Sequence, residues 1–162
     1  MRKKFYMLVI LGCIASFAYN QNFNQLFSFD DFNQWMQNAS IPSYSLLEIN
    51  SEGDPEVLHE LEYKARFHKN GVELLSVALN YENAFEEYKS KADKDKQDYY
   101  TFQDYEVAYV PFTSGGNYTY SFFAVKIPEI NASFIIMCTP MQSKEKMEEI
   151  AESFEWYKKF KN

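Results

Sequence analysis

Residues 61–81 read LEYKARFHKNGVELLSVALNY, and this stretch decides the fold. Apolar residues occupy every second position before the pair Asn70-Gly71, namely Leu61, Tyr63, Ala65 and Phe67. An alternation with a period of two is typical of a strand with one buried face. Because Asn-Gly between two apolar runs is the strongest short signal for a hairpin turn, the stretch predicts a β-hairpin.

The register of this hairpin follows from its apolar pattern. A three-residue loop at 69–71, with Gly71 in the left-handed conformation, pairs Tyr63 with Val77. A two-residue turn would set Tyr63 opposite Ala78, and the slip would turn the apolar set of the second strand to the wrong face. We therefore expect the three-residue loop. We also expect Gly71→Ala to be costly, since a β-carbon is disfavoured at positive φ.

Three helices are predicted around the hairpin. The first is capped by Ser28, because Asp31 completes a capping box three residues on. The second begins after Asn83, and the third has two candidate caps, Thr139 and Ser143, which the sequence does not separate. Their apolar stripes are Phe29, Phe32, Trp35 and Met36; Ala84, Phe85, Tyr88 and Ala92; and Met147, Ile150, Ala151, Phe154 and Tyr157.

The remaining strands complete the predicted order αβββαβββα. They are placed at 44–50, 105–112, 118–127 and 133–139. Between the second helix and the later strands, alternating charge at 89–98 indicates a solvated face or loop.

Runs of antiparallel strands separated by helices predict an α+β fold. We expect a mainly antiparallel sheet of about six strands with three helices packed mostly on one face. The order would also suit a duplicated αβββ unit, although no residue-level match links the two halves.

The first eighteen residues have the pattern of a secretory signal peptide. Three basic residues at 2–4 precede an apolar run at 5–15, and Ser16-Phe17-Ala18 offers small residues at the two positions that a signal peptidase reads. We therefore predict cleavage after Ala18 and a periplasmic or extracellular location. A flexible segment at 19–27 and a single domain at 28–162 would follow. An alternative is lipidation of Cys13, because residues 10–13 (ILGC) have the form of a lipobox.

The net charge of the chain argues against two classes of partner, and the length of its apolar run argues against a membrane span. The chain has a net charge of −7, and removal of Arg2, Lys3 and Lys4 leaves −10. Nucleic acids and anionic membrane surfaces bind basic footprints, so neither is an expected partner. The apolar run at 5–15 is shorter than the ~20 residues that a spanning helix needs, and we expect no transmembrane segment in the mature chain.

The sequence contains no recognisable catalytic or metal-binding motif. His59 and His68 are nine residues apart without a second ligand pair, and Cys138 has no evident histidine partner. We expect no catalytic residue, no metal and no cofactor. One enzymatic alternative stays open, a hydrolase that uses paired carboxylates, for example on glycans. The acids considered for it are Glu48, Glu62, Glu73 and Asp104.

The aromatic content is the remaining positive signal, at 19% of the chain. Tyrosine is common in strands, but it is also enriched where binding energy concentrates. The candidate binding residues are Tyr100, Tyr105, Tyr118 and Tyr120. The favoured hypothesis is a secreted or periplasmic, non-catalytic binding module for a protein or glycan partner. An envelope-associated structural lipoprotein is a further alternative.

Overall fold

A computed structural model describes residues 27–54, 56–81, 84–115 and 118–160. The predicted signal peptide, the lipidation alternative at Cys13, residues 19–26 and the helix cap at Asn83 lie outside these ranges. The helices are α1 (Phe29–Asn38), α2 (Ala84–Lys91), α3 (Lys144–Ser153) and α4 (Trp156–Phe160). The strands are β1 (Ser45–Glu52), β2 (Glu62–Lys69), β3 (Glu73–Asn80), β4 (Tyr99–Phe102), β5 (Tyr105–Thr113), β6 (Thr119–Ile127) and β7 (Ala132–Thr139).

The seven described strands form one antiparallel sheet in the order β1-β2-β3-β7-β6-β5-β4. The predicted α+β class is confirmed, whereas the predicted number of strands is one too low. The missed strand, β4, has only four residues and directly follows the charged stretch 89–98. Because its neighbours along the chain are polar, the sequence pattern did not predict this strand. It pairs with β5 through Phe102 and Tyr105, among others.

The hairpin of β2 and β3 exists, but its predicted register was wrong. Lys69 pairs with Glu73, so the three-residue loop lies at 70–72, and Tyr63 faces Leu79 rather than Val77. The partner of each β2 residue is displaced by two positions. Because side chains alternate with a period of two, this displacement leaves every apolar residue on the expected face.

The geometry of the loop explains the displacement. Asn70 and Gly71 both have positive φ, 53° and 69°, and the Val72 amide donates to the Lys69 carbonyl at 3.2 Å. Asn-Gly therefore occupies the two central positions of a tight turn, the positions that favour this pair. Val72 is the extra residue between the turn and β3.

Three helices cover one face of the sheet and one covers the other. The larger core contains side chains from α1, α3 and α4, including Phe32, Trp35, Phe154 and Trp156. The smaller core lies on the opposite face, where Phe85 of α2 is packed among Ala108, Val110, Ala124 and Ile135 of the strands. The prediction that helices lie mostly on one face holds. The two halves are not equivalent, because the second has four strands and places its helix on the other face.

The predicted cap of α1 is confirmed in detail. The Ser28 hydroxyl accepts from the Asp31 amide at 3.1 Å, and the Asp31 carboxylate accepts from the Ser28 amide at 3.2 Å. This reciprocal pair satisfies two amides that the first turn would leave unbonded. Farther along α1, the Trp35 indole donates to the Phe154 carbonyl at 2.7 Å and joins the helix to the end of α3.

Ser143, rather than Thr139, caps the third predicted helix, since its hydroxyl accepts from the Lys146 amide at 3.3 Å. The helix is divided at Glu155, where φ is 51°. This turn buries Trp156 fully and leaves Tyr157 half-buried. The predicted stripe had assigned Tyr157 to the core because it assumed an uninterrupted helical period.

Candidate functional site

Exposed hydrophobic side chains are concentrated at one end of the sheet. Among the described residues, seven large hydrophobic side chains are exposed by 36–78%. They are Leu46, Leu47, Val72, Leu74, Phe112, Tyr118 and Met141. We call this set the apolar end.

The strand order places these seven residues at the same end of the sheet, although they come from distant parts of the sequence. In an antiparallel sheet the start of one strand lies beside the end of its neighbour. Leu46 at the start of β1 pairs with Phe67 near the end of β2, and Leu74 at the start of β3 pairs with Thr139 at the end of β7. Phe112 near the end of β5 pairs with Tyr120 near the start of β6. All of these positions therefore share one end of the sheet.

Local contacts hold the loop residues of the apolar end in place. The Tyr118 carbonyl accepts from the Ser114 amide at 3.1 Å, which closes the turn between β5 and β6. The Met141 amide donates to the Thr119 hydroxyl at 3.2 Å. The side chains of Tyr118 and Met141 are exposed although their backbones are bonded to the sheet.

The apolar end continues onto the face that carries α2. Tyr120 lies 6.4 Å from Phe112 and 6.5 Å from Phe122 between ring centroids, and Phe122 lies 5.4 Å from Tyr88 of α2. Phe122 also pairs with Met137 of β7. The half-buried rings thus connect the exposed end to the small core beneath α2.

The opposite end of the sheet, which we call the closed end, includes Tyr81, Tyr105 and the turn Pro128–Ile130. There the tyrosine hydroxyls have partners: Tyr81 donates to the Phe27 carbonyl at 2.7 Å, and Tyr105 donates to Glu129 at 2.9 Å. Burial, followed by the Glu129 hydrogen bond, raises the pKa of Tyr105 well above its ordinary value.

The four tyrosines proposed from sequence do not form one surface. Tyr105 is buried against Trp156, and the half-buried Tyr100 donates to Glu148 at 2.6 Å on the face covered by α3. Burial, followed by this hydrogen bond, raises the pKa of Tyr100. Tyr118 belongs to the apolar end, and Tyr120 lies next to it.

Sequence reasoning missed the residues that the first half contributes to the apolar end. Leu46, Leu47, Val72 and Leu74 all precede the aromatic-rich second half. One signal was present, because Val72 and Leu74 are apolar at positions that extend the polar face of β3. The alternation on which the hairpin prediction rested left them unexplained.

A cleft at the closed end is the place where paired carboxylates could act. It has a volume of about 380 Å³ and is lined by Asp104, Tyr105, Glu106, Lys126, Pro128 and Glu129. The Tyr99 hydroxyl donates to Glu106, and this bond, together with the positive charges of Lys126 and Lys89, lowers the pKa of the Glu106 carboxyl. A glycosidase general acid needs a raised pKa. The lowered pKa of Glu106 therefore does not suit the role of general acid.

The other acids considered from sequence are distributed across the sheet in ion pairs. Glu48 pairs with Arg66 at 3.0 Å and Glu62 with Lys64 at 2.7 Å. Glu73 pairs with Lys69 at 3.0 Å across the hairpin loop. Of the four, Asp104 alone lines the cleft.

Metal-ligating residue types are dispersed. Within the described ranges, no group of three His, Cys, Asp or Glu side chains is placed to hold a metal ion. Cys138 is fully buried, and burial raises the pKa of its thiol to about 12, so the thiolate form that reacts is disfavoured.

The charged loop before β4 contacts the side chain of Lys144, which belongs to α3. The Lys144 ammonium lies 3.5 Å from Asp98 Oδ1 and 3.4 and 3.3 Å from the carbonyl oxygens of Lys96 and Gln97. Asp98 is buried, and Lys144 supplies its counter-charge. This ion pair joins the loop to the first residue of α3.

No protein-family model, curated protein or solved structure matches this chain. No helix in the described part of the chain is long and apolar enough to cross a membrane.

Proposed function

We propose that the chain is an exported, non-catalytic binding module that contacts a protein partner through its apolar end. The observation that carries the proposal is the position of the seven exposed hydrophobic side chains at one end of the sheet. Exposed hydrophobic side chains that lie in one region of a protein indicate an interaction site more often than singly scattered ones do.

The residue types at the apolar end favour a protein over a glycan. Phe112, Tyr118 and Met141 belong to the types enriched in the buried centres of protein interfaces. Leu47 and Val72, which are 57% and 78% exposed, are aliphatic and offer a sugar hydroxyl no side-chain hydrogen bond. Such side chains gain free energy mainly when a partner buries them.

The lowered pKa of Glu106 argues against this residue as the general acid of a carboxylate hydrolase. Export is supported by the basic and apolar pattern of residues 1–18.

Site-specific photo-crosslinking in the cells that express the chain tests the binding surface. A benzophenone amino acid at Tyr118 should give a discrete protein adduct, because this position is 68% exposed within the apolar end. The matched control is the same amino acid at Glu129, an exposed position at the closed end. Equal adducts at both positions, or none at Tyr118, would contradict the proposal. A glycan-only adduct would favour the glycan alternative.

Intact-mass analysis of the processed protein tests the export part of the proposal. A mature chain that begins at Tyr19 is the expected result. A chain that begins at a lipidated Cys13 would support the envelope lipoprotein instead. An unprocessed chain that begins at Met1 would contradict export by signal cleavage.

A further inference from the structure

The two edge strands of the sheet differ in how much backbone they leave for a partner. β4 has four residues, whereas β1 has eight, and seven of the eight β1 residues are exposed. A long exposed edge strand can template pairing with another strand unless it is interrupted. Within the described residues, β1 has a strand on one side alone.

The hydrogen-bond pattern shows which β1 residues direct their backbone amide and carbonyl groups away from the sheet. The Leu61 carbonyl accepts from the Tyr81 amide at 3.2 Å, so odd-numbered residues of β2 bond to β3 and even-numbered residues bond to β1. Arg66, Lys64 and Glu62 pair with Glu48, Asn50 and Glu52, respectively. The amides and carbonyls between these positions, at Ile49 and Ser51, therefore face away from the sheet.

The charge beside this edge is strongly one-sided. Residues 45–63 contain no Lys or Arg. They contain six acids, Glu48, Glu52, Asp54, Glu56, Glu60 and Glu62. Lys64 bonds Glu52 and Glu62 and Arg66 bonds Glu48, which leaves the exposed acids at 54, 56 and 60 without a Lys or Arg ion pair among the described residues.

The edge is also continuous with the apolar end. Leu46 and Leu47 lie at the start of β1 and are exposed by 36% and 57%, whereas the acids at 52–60 lie toward its other end. A strand that pairs with β1 would therefore meet leucines at one end and carboxylates at the other.

We propose that β1 accepts an extended segment of a partner protein as an eighth strand, with apolar residues beside Leu46 and Leu47 and Lys or Arg at the other end, toward the acids at 54, 56 and 60. Backbone hydrogen bonds from Ile49 and Ser51 would supply affinity, and the side chains would set direction and specificity. The choice of a protein partner rests on the proposed function, whereas the outward-facing amides and carbonyls of Ile49 and Ser51 do not depend on it.

Peptide binding to the full chain tests this inference. The probe is a fluorescent peptide about as long as β1, with alternating valine and threonine, leucines at one end and lysines at the other; the control peptide has glutamates in place of the lysines. By fluorescence anisotropy we expect the lysine peptide to bind about tenfold more tightly, a difference of about 1.4 kcal/mol. Equal affinities, or no binding of the lysine peptide, would overturn the inference.

Ser51→Pro, with Ser51→Ala as its matched control, separates edge pairing from general attraction. Proline removes one outward amide while the bonds from β1 to β2 remain, and edge strands tolerate proline. We expect Ser51→Pro to lose peptide binding and Ser51→Ala to retain it. If Ser51→Pro does not fold, the wild-type chain is tested with a peptide N-methylated at alternate residues, which should not bind.

Two further outcomes identify other occupants. If Tyr118→Ser, rather than Ser51→Pro, abolishes peptide binding, the peptide occupies the apolar end and the edge inference fails while the proposed function stands. If sedimentation shows dimers of the free chain that Ser51→Pro dissociates, a second copy occupies the edge and the inference is overturned.

Discussion

The two ends of the sheet use the same kinds of residue in opposite ways. At the closed end, the hydroxyls of Tyr81 and Tyr105 donate to Phe27 and Glu129, and both side chains are 4% exposed. At the apolar end, Tyr118 is 68% exposed. A tyrosine-rich composition therefore indicates neither a core nor a binding site by itself. Whether a given tyrosine is in the core or on an exposed surface depends on the end of the sheet at which it lies.

Two glycines in the described ranges have positive φ, and their surroundings differ in the same way. Gly53 lies at the closed end, where a β-carbon would be 1.9 Å from the Glu60 carbonyl oxygen. Gly71 lies in the hairpin loop at the other end, and a β-carbon there would meet nothing within 4 Å. The backbone is packed tightly around Gly53 at the closed end, whereas the hairpin loop leaves space around Gly71.

Gly53→Ala should have the largest effect on stability. The methyl group forces the backbone at Glu60 to move and also occupies an unfavourable φ of 88°, and together these cost about 4 kcal/mol. Gly71→Ala is the matched control and should cost about 1 kcal/mol, from its φ alone. Urea unfolding measures both. Equal losses would show that the two ends do not differ in packing.

Alkaline pH should destabilise the protein, and two tyrosines of the closed end should contribute to the loss. Burial raises the pKa of both Tyr81 and Tyr105, so these tyrosines stay protonated in the folded state while the unfolded chain ionises near pH 10. Stability is therefore full below about pH 9 and falls as pH rises. At pH 11 the loss should be about 3 kcal/mol for the two residues.

Urea unfolding at several pH values checks this, with phenolate absorbance as a second readout. The double variant Tyr81→Phe, Tyr105→Phe should show a shallower alkaline decline than the wild type. A decline of unchanged slope in the double variant would assign the effect to other groups.

Removal of one tyrosine hydroxyl should give a smaller difference in stability between the two ends. Tyr105→Phe loses the hydrogen bond to Glu129 and should cost about 1 kcal/mol. Tyr118→Phe removes a hydroxyl from an exposed ring and should change stability by less than about 0.5 kcal/mol. Thermal unfolding of the two variants tests the difference, and a larger loss from Tyr118→Phe would reverse the assignment of the ends.

Polar substitutions at the apolar end should have the smallest effect on stability and a clear effect on surface properties. Val72→Ser with Tyr118→Ser should leave the free energy of unfolding within about 0.5 kcal/mol of wild type. The same variant should reduce the fluorescence of a hydrophobic dye bound to the native protein. Unchanged dye binding would show that these side chains do not form a continuous apolar surface.

Local pattern predicted much of the fold, because period and caps are short-range properties. The Ser28 capping box, the faces of β2 and the α+β class were all accessible in this way. The hairpin register was not accessible. Alternation predicts which face of the sheet a residue occupies, but a shift of two positions changes the cross-strand partner and leaves the face the same. The break at Glu155 was also inaccessible, because a non-glycine residue at positive φ has no sequence signal there.

The candidate site was harder to predict than the fold. The sequence identified Tyr118 and Tyr120, but it grouped them with Tyr100 and Tyr105 because all four lie close together along the chain. The seven residues of the apolar end lie at the same end of the sheet because all neighbouring strands are antiparallel and β3 pairs with β7. Strand order is a long-range property that alternation does not encode.

The contact between Phe27 and Phe160 has a practical consequence for handling this protein. The two rings lie 5.2 Å apart between centroids, so both termini of the described chain emerge side by side. A purification tag, a surface-immobilisation handle or a fluorescent fusion joined directly to residue 27 or residue 160 would occupy the same side of the molecule. Biosensor chips loaded through such a tag would present the leucines, Val72 and Tyr118 to the flowing analyte.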